Sequence, residues 1–160
     1  MAKGDFRKEW GQPTATQHAL ESYLPYLINR LASLGQIRQN RELNAHGLTI
    51  VTLRTLSLLH IQDGRTVNEI AALAFAEQST ASRAIDGMVS AGLVERRISD
   101  KDLRRREIAL TQAGRDLLLA SWPLMVEHVA VITHDIAEAD LEVCRRVLAR
   151  MIDNLRRAET

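Results

Sequence analysis

The sequence predicts a mostly α-helical protein with one small β-hairpin. Aromatic residues make up only 4% of the 160 residues, whereas 46% are apolar. Leucine, alanine, isoleucine and valine supply most of that apolar fraction, which suits helix-on-helix packing better than a β-sandwich. Apolar residues also recur at three- and four-residue steps along much of the chain, and the period changes only after Gly92. We therefore expect helices interrupted by a single hairpin.

The N-terminal part of the chain is predicted to contain an arm and one helix. Residues 1–19 are polar and are predicted to be flexible. A helix is predicted from Ser22 to about Asn40, because an apolar stripe recurs there at helical spacing. The stripe consists of Leu24, Leu27, Leu31 and Leu34. Pro25 is tolerated because it falls in the first turn, where backbone N–H groups have no helical partner.

Two further helices are predicted from their caps. The second helix should begin after Thr49, a residue type that caps helix N-termini. Its predicted buried stripe consists of Leu53, Leu56 and Leu59. A third, short helix follows with Thr66 and Glu69 at the spacing of a capping box, in which each side chain accepts a hydrogen bond from the other residue's backbone N–H.

The fourth predicted helix begins near Ser79, after a connection of four residues, roughly Phe75 to Gln78, and its two faces differ. The inward face is predicted to consist of Ala81, Ala84, Ile85, Met88 and Val89. The opposite face is small, polar and free of lysine and glutamate, and it carries Ser79, Arg83, Asp86 and Ser90.

The rest of the chain is predicted to form the hairpin and two long helices. The runs LVERRI and REIAL are typical of strands and are joined by SDKDLR, which predicts a hairpin with a long tip. Thr111 should cap a long helix, and Pro123 should kink or break that helix about one turn earlier. A last helix is predicted from about Glu138 to Leu155. Its apolar positions are Leu141, Val147, Leu148, Met151 and Leu155.

This order of elements is that of a winged helix-turn-helix, which we place at 46–111. Such a module binds DNA by placing the N-terminal residues of its second helix in the major groove. Hydroxyl groups and a helix N-terminus can bind phosphates there, and Arg83 can bind guanine with two hydrogen bonds. The hairpin adds an unbroken basic triplet, Arg104-Arg105-Arg106, in a chain whose net charge is only +1. The predicted DNA-binding residues are Gln78, Ser79, Thr80, Ser82, Arg83, Lys101, Arg104, Arg105 and Arg106.

Each of these features has a simpler explanation. Basic residues on a hairpin can be solvated and can prevent an exposed sheet edge from pairing with another strand. Ser79 to Arg83 can be an ordinary helix start. Their adjacency in this order favours double-stranded DNA as the partner. An adaptor that uses a winged helix for protein–protein contacts without binding DNA is the alternative. An enzyme is not predicted, because the sequence has no Gly-rich phosphate loop and no nucleophile elbow.

Membrane, metal and redox chemistry are also not predicted. No run approaches the ~20 apolar residues that a membrane span needs, and the polar start does not resemble a signal peptide, so a cytoplasmic protein is expected. A single cysteine, Cys144, excludes an intramolecular disulfide. His128 and His134 are too far apart in sequence to share one helix face as metal ligands. No metal and no other cofactor is predicted.

Four stretches resemble the MarR family of bacterial winged helix-turn-helix transcription regulators, and the similarity extends from about Leu20 to Leu155. They are GLTIVTLRTL, TVNEIA, STASRAIDGMVSAGLVERR and DLRRREIALTQAG. The family's wing carries an Asp-x-Arg pattern, which matches Asp102 and Arg104. The resemblance implies that Asp102 holds the shape of the wing while Arg104 reaches the minor groove. Leu103 stands where an arginine is common, which leaves Arg105 or Arg106 as alternative contacts.

The resemblance also implies a homodimer that acts as a ligand-responsive regulator, in our prediction a repressor, on a pseudo-palindromic operator. A helical dimerisation lobe is placed at 20–42 and 112–158, whose apolar stripes exceed what one lobe can bury; packing of the stripes within one chain is the alternative. An aromatic or lipophilic small molecule is implied between this lobe and the DNA-binding lobe. The predicted ligand-binding residues, for each of which a packing or surface role is the alternative, are His46, Arg54, His60, Trp122 and Met125.

Overall fold

The computed structural model describes Pro13, residues 16–99 and residues 102–158. Within that part of the chain, seven helices and a two-stranded antiparallel sheet confirm the predicted mostly α-helical fold with one hairpin. The chain divides into two compact units, one ending at Ile50 and the other beginning at Val51. Most of the predicted arm, and Lys101, lie outside the described residues.

The first unit contains α1 (Gln17–Ser22) and α2 (Leu24–Asn44). The Thr16 hydroxyl caps α1 by accepting a hydrogen bond from the Ala19 backbone N–H at 3.2 Å. The helical structure therefore begins inside the segment 1–19 that was expected to be flexible. The extended backbone of Tyr23 separates the two helices, and Pro25 lies in the first turn of α2 as predicted.

Most of the apolar face of α2 is exposed. Leu24 is half-buried, whereas Leu27, Leu31 and Leu34 are between 45% and 57% exposed. Burial increases towards the end of the helix, where Leu43 is fully covered. The predicted stripe is thus present at the predicted spacing, and its middle is open to a partner.

The second unit begins in the first turn of α3 (Ile50–Ile61) and contains α4 (Val67–Leu73), α5 (Gln78–Ser90), β1 (Val94–Ile98) and β2 (Arg106–Leu110). These elements confirm the predicted order, and the capping box at Thr66 and Glu69 is formed. Apolar side chains from all of them are buried together as the core. They include Leu53, Leu56, Leu59, Ile70, Ala81, Ile85, Met88, Val94, Ile108 and Leu110.

The hairpin is joined to the loop between α3 and α4 at its base. β1 and β2 pair from Val94 with Leu110 to Ile98 with Arg106. On its other edge, β2 receives a hydrogen bond from Gly64 N–H to the Ile108 carbonyl at 3.2 Å and donates from Ile108 N–H to the Arg65 carbonyl at 2.8 Å. The backbone N–H of Leu110 also donates to the Asp63 carboxylate at 2.7 Å. The outer edge of β2 is therefore anchored to this loop from Ile108 to Leu110.

Two long helices complete the second unit, α6 (Gln112–Ile132) and α7 (Glu138–Ala158). The Thr111 hydroxyl caps α6 as predicted, accepting from the Gly114 backbone N–H at 3.1 Å. The prediction of a break before Pro123 is wrong, because α6 is one continuous helix of 21 residues. Proline lacks the backbone N–H that would donate to the Leu119 carbonyl, and the helix continues through Pro123 without that one hydrogen bond.

Candidate nucleic-acid interface

The N-terminal half of α5 presents a polar face to solvent. Gln78, Ser79, Thr80 and Arg83 are exposed and Ser82 is half-buried. The opposite face is buried through Ala81, Ile85 and Met88, which fixes the orientation of the helix. The positive end of the helix dipole is therefore exposed together with the hydroxyl groups of two exposed residues, an arrangement that binds phosphate oxygens.

The two longest side chains on this face are partly oriented by local contacts. The Arg83 Nε donates to the Ser79 carbonyl at 3.2 Å, which leaves its two terminal nitrogens without a partner among the described residues. The Gln78 Nε2 donates to Asn68 Oδ1 at 2.9 Å, and Asn68 belongs to α4. Gln78 thus connects the two helices of the helix-turn-helix on their exposed side.

The turn before α5 has an unusual backbone. Phe75 has a φ of 53° although it is not glycine, and its side chain is 87% exposed. The left-handed region costs a side chain of this size steric energy. Arg54 stabilises this turn, because its Nη1 donates to the Ala74 carbonyl at 2.9 Å. Arg54, one of the predicted ligand-binding residues, therefore contacts the turn that precedes α5.

The tip of the wing is shaped by Asp102. Its carboxylate accepts a hydrogen bond from the Arg104 backbone N–H, and its carbonyl accepts one from the Arg105 backbone N–H, both at 2.9 Å. The Ser99 backbone N–H closes the turn by donating to the Arg105 carbonyl at 3.0 Å. Leu103 and Arg104 stand exposed at the end of this turn. Asp102 therefore holds the backbone of the two following arginines in the turn.

The three arginines of the basic triplet occupy different environments. The side chains of Arg104 and Arg106 are exposed and have no ion pair within residues 16–99 and 102–158. The Arg105 guanidinium instead lies between two acids, with Nη2 2.9 Å from Glu69 Oε2 and Nε 2.8 Å from Glu107 Oε1. The hydrogen bond to Glu69 raises the pKa of Arg105, which is therefore a permanent cation in this pair. Of the triplet, Arg104 and Arg106 are therefore exposed without an acidic partner among the described residues, whereas Arg105 is paired with two acids.

A second ion pair connects α5 to the hairpin. Arg96 Nη2 on β1 lies 2.6 Å from the Asp86 carboxylate on the exposed face of α5. Sequence reasoning assigned no role to Arg96, to Asn68 or to the partnership of Arg105 with Glu69. The capping box placed Glu69 at the exposed start of α4, but nothing in the local pattern indicated which basic residue it would meet.

A pocket of about 210 Å³ opens between α3 and α6. It is lined by Ser57, His60, Ile61, Leu118, Leu119 and Trp122. Two of the predicted ligand-binding residues, His60 and Trp122, therefore line the same pocket. Met125 is half-buried and does not line the pocket, and His46 is exposed in the first unit. The other lining residues lie within one helical turn of His60 or Trp122, so helical spacing from those two would have found them.

Neither a metal-binding cluster nor a membrane-spanning helix is found among the described residues. Among them, no group of three or more histidine, cysteine or acidic side chains is arranged to hold a metal ion. None of the helices there combines the length and the apolar character that crossing a bilayer requires.

Comparison with known proteins agrees with this architecture. The MarR family model matches residues 46–105. A MarR family transcriptional regulator from Silicibacter pomeroyi DSS is 34% identical, with a TM-score of 0.81 over 89% of this chain and 95% of that chain. The MepR–DNA complex of S. aureus is 25% identical, with a TM-score of 0.71 over 84% of this chain and 98% of that chain.

A third solved structure shares the fold at lower identity. CouR from Rhodococcus jostii RHA1, bound to p-coumaroyl-CoA, is 23% identical, with a TM-score of 0.74 over 85% of this chain and 95% of that chain. A search of curated proteins gives no match. The match to the regulator from Silicibacter pomeroyi extends over nearly all of both chains, and the family model covers most of the winged helix. This chain therefore belongs to the MarR family of winged helix-turn-helix transcription regulators.

Proposed function

We propose that the protein is a ligand-responsive repressor that binds a pseudo-palindromic operator as a homodimer. The observation that carries the proposal is the presence of two open cationic surfaces in one unit: the start of α5 with Arg83, and the wing with Arg104 and Arg106. In a winged helix, these are the parts that enter the major groove and lie along the neighbouring minor groove or backbone. A regulator of this kind acts in the cytoplasm, and we propose that location.

The proposed contacts divide by chemistry. Ser79, Thr80 and Ser82 are assigned to phosphates together with the backbone N–H groups at the start of α5. Arg83 and Gln78 are assigned to base edges, where their planar groups can make paired hydrogen bonds. Arg104 and Arg106 are assigned to the minor groove or its phosphates. The structure of MepR with DNA supports duplex DNA as the partner.

Exposed apolar faces support the homodimer. On α2 these faces include Leu27, Leu31, Leu34 and Ile37, and on α7 they include Val143, Val147, Leu148, Ile152 and Leu155. Soluble monomers rarely leave several such side chains uncovered on one helix face, and covering them favours a second copy. A two-fold axis would then place two α5 helices in successive major grooves, about one helical turn apart.

Selection from random duplexes tests the proposal. The purified chain is incubated with a random pool of double-stranded oligonucleotides, and the retained sequences are determined after several rounds. We expect enrichment of an inverted repeat whose half-sites lie about 10 base pairs apart. A protein–protein adaptor would retain no duplex even at low salt, and that result would exclude the proposal.

We further propose that the pocket between α3 and α6 holds an aromatic effector. Its wall combines the Trp122 ring with Leu118, Leu119 and Ile61, and His60 and Ser57 supply polar groups. Apolar walls with a few polar groups are typical of small-molecule sites. The p-coumaroyl-CoA complex of CouR is consistent with an aromatic acyl group as ligand. An effector changes DNA affinity only if it binds one arrangement of the dimer's two α5 helices better than another.

Replacing Trp122 tests this site. We expect p-coumarate at saturating concentration to raise the Tm of the parent protein, because a ligand that binds only the folded state stabilises it by mass action. Trp122→Ala should abolish the shift and His60→Ala should reduce it, whereas His134→Ala, which removes an exposed imidazole outside the pocket, should keep it. Equal shifts in the parent, Trp122→Ala and His60→Ala would place the binding elsewhere.

A further inference from the structure

The wing is held to the rest of the second unit by backbone hydrogen bonds and by side-chain contacts, which include the ion pair of Arg96 with Asp86. The middle of the wing is fixed by backbone hydrogen bonds, from Gly64 to Ile108 and from Ile108 to Arg65. The distal half of the wing carries no such backbone bonds to the loop between α3 and α4 among the described residues. The Arg105 side chain connects the distal half to α4, where it contacts Glu69, and its Nη2 also lies 3.5 Å from the Gly64 carbonyl oxygen in that loop.

The Arg105 contacts have the geometry of a brace. Nη2 lies 3.1 Å and 2.9 Å from the two carboxylate oxygens of Glu69. Nε donates to Glu107 Oε1, two residues further along the chain. The Arg105 backbone is part of the tip turn, since its N–H donates to Asp102 and its carbonyl accepts from Ser99. One residue thus joins the turn that carries Arg104 to the start of the first helix of the helix-turn-helix.

The carboxylate of Glu69 is itself held in place by its own helix. Its Oε2 accepts the Thr66 backbone N–H at 2.7 Å in the capping box of α4. That backbone hydrogen bond lowers the pKa of Glu69 most, and Arg105 lowers it further, so the carboxylate stays charged near neutral pH. A carboxylate held by its own helix start is a more rigid partner than a freely rotating surface acid.

We propose that Arg105 is a positioning residue of the wing, which ties the tip turn to the N-terminus of α4 so that Arg104 is presented at a fixed place relative to α5. This inference rests on the proposed DNA-binding function. It assigns Arg105 a role different from that of its two neighbours in the triplet. The inference also gives Glu69 a favourable effect on DNA binding. This is the opposite of what its negative charge alone would do near DNA.

Two variants separate positioning from direct contact. Arg105→Gln removes the cation, and Glu69→Gln removes its partner while keeping the capping box, because glutamine also serves in that motif. If Arg105 touched DNA and Glu69 only competed for it, Glu69→Gln would strengthen binding. Positioning predicts that both variants weaken binding to the selected duplex, by roughly threefold to tenfold, and that the double variant is little worse than either.

The dependence of binding on salt gives an independent readout. Arg104→Gln should lower the slope of log K against log salt by about 0.9 for each phosphate that the dimer no longer neutralises. Arg105→Gln should leave that slope unchanged, because Arg105 neutralises no phosphate. A slope for Arg105→Gln that falls like that of Arg104→Gln, or tighter binding by Glu69→Gln, would overturn the inference.

Hydrogen–deuterium exchange without DNA tests the brace itself. In the full chain, Arg105→Gln and Glu69→Gln should both speed exchange in the hairpin, residues 94–110, whereas Arg104→Gln should not. Exchange that is unchanged in the first two variants would also overturn the inference. If the parent chain selects no duplex, the proposed function fails, and the exchange experiment still decides whether Arg105 braces the wing.

Discussion

Arg83→Ala is expected to reduce the preference of the protein for its operator over random DNA. Arg83 projects from the exposed face of α5 with both terminal nitrogens without a partner among the described residues. A guanidinium bound to guanine through two hydrogen bonds contributes about 1–3 kcal/mol of discrimination per half-site. We therefore expect operator affinity to fall at least about tenfold, with a much smaller loss on random duplex. Fluorescence anisotropy with the selected operator and a scrambled duplex measures both.

Arg104→Ala should behave differently. A wing arginine in the minor groove or on phosphates contributes to all sequences, so its loss should weaken binding to operator and scrambled DNA by similar factors. Arg145→Ala is the matched control, because it removes the same charge from an exposed arginine of α7 that is paired with Glu138 and Glu142. Operator binding by Arg83→Ala and Arg104→Ala as tight as that of the parent would show that the contacts are assigned wrongly.

Gly114→Ala is expected to destabilise the fold strongly. Gly114 lies in the first turn of α6, where an added Cβ would come 2.1 Å from the Leu93 carbonyl oxygen and 2.7 Å from Leu110 Cδ1. The first of these atoms belongs to the backbone of the segment that leads into the hairpin, so it cannot move away alone. Overpacking of this kind costs about 1–3 kcal/mol or more of the free energy of unfolding. Urea denaturation should show a lower midpoint.

Gly87→Ala is the control for that substitution. Gly87 is also helical, in α5, but an added Cβ would meet no atom within 4 Å. Alanine is the better helix former by about 0.5–1 kcal/mol, so this variant should be more stable than the parent. If Gly114→Ala unfolded at the same urea concentration as the parent, the close approach of α6 to the hairpin would be wrong.

Features that depend on neighbouring residues could be predicted from the sequence. The caps at Thr66 and Thr111 involve partners three positions later, and the hairpin follows from two short runs with a shared turn. A hydrogen bond between close neighbours is encoded by spacing alone, which is why these positions were confirmed. The polar face of α5 followed for the same reason, since helical period decides which side chains share a face.

Features that depend on distant residues could not be predicted. Arg104, Arg105 and Arg106 are equivalent in sequence, and only the fold shows that Arg105 meets Glu69, 36 positions earlier. Arg54 lies on the helix beside the expected cleft, and only the fold shows that its Nη1 donates to the Ala74 carbonyl, 20 positions later. Pro123 was expected to kink or break its helix, yet the helix continues unbroken from Gln112 to Ile132, because the loss of one backbone donor does not end a helix whose other hydrogen bonds remain.

The spacing of the two α5 helices in the proposed dimer is tested most directly by changing the distance between the two half-sites of the operator. The affinity of the purified chain is measured for the selected operator and for the same operator with about 5 base pairs inserted at its centre, which turns one half-site to the opposite side of the duplex. A homodimer with one α5 in each major groove should lose most of its affinity for the lengthened site. Equal binding to both duplexes would contradict paired recognition by this winged helix.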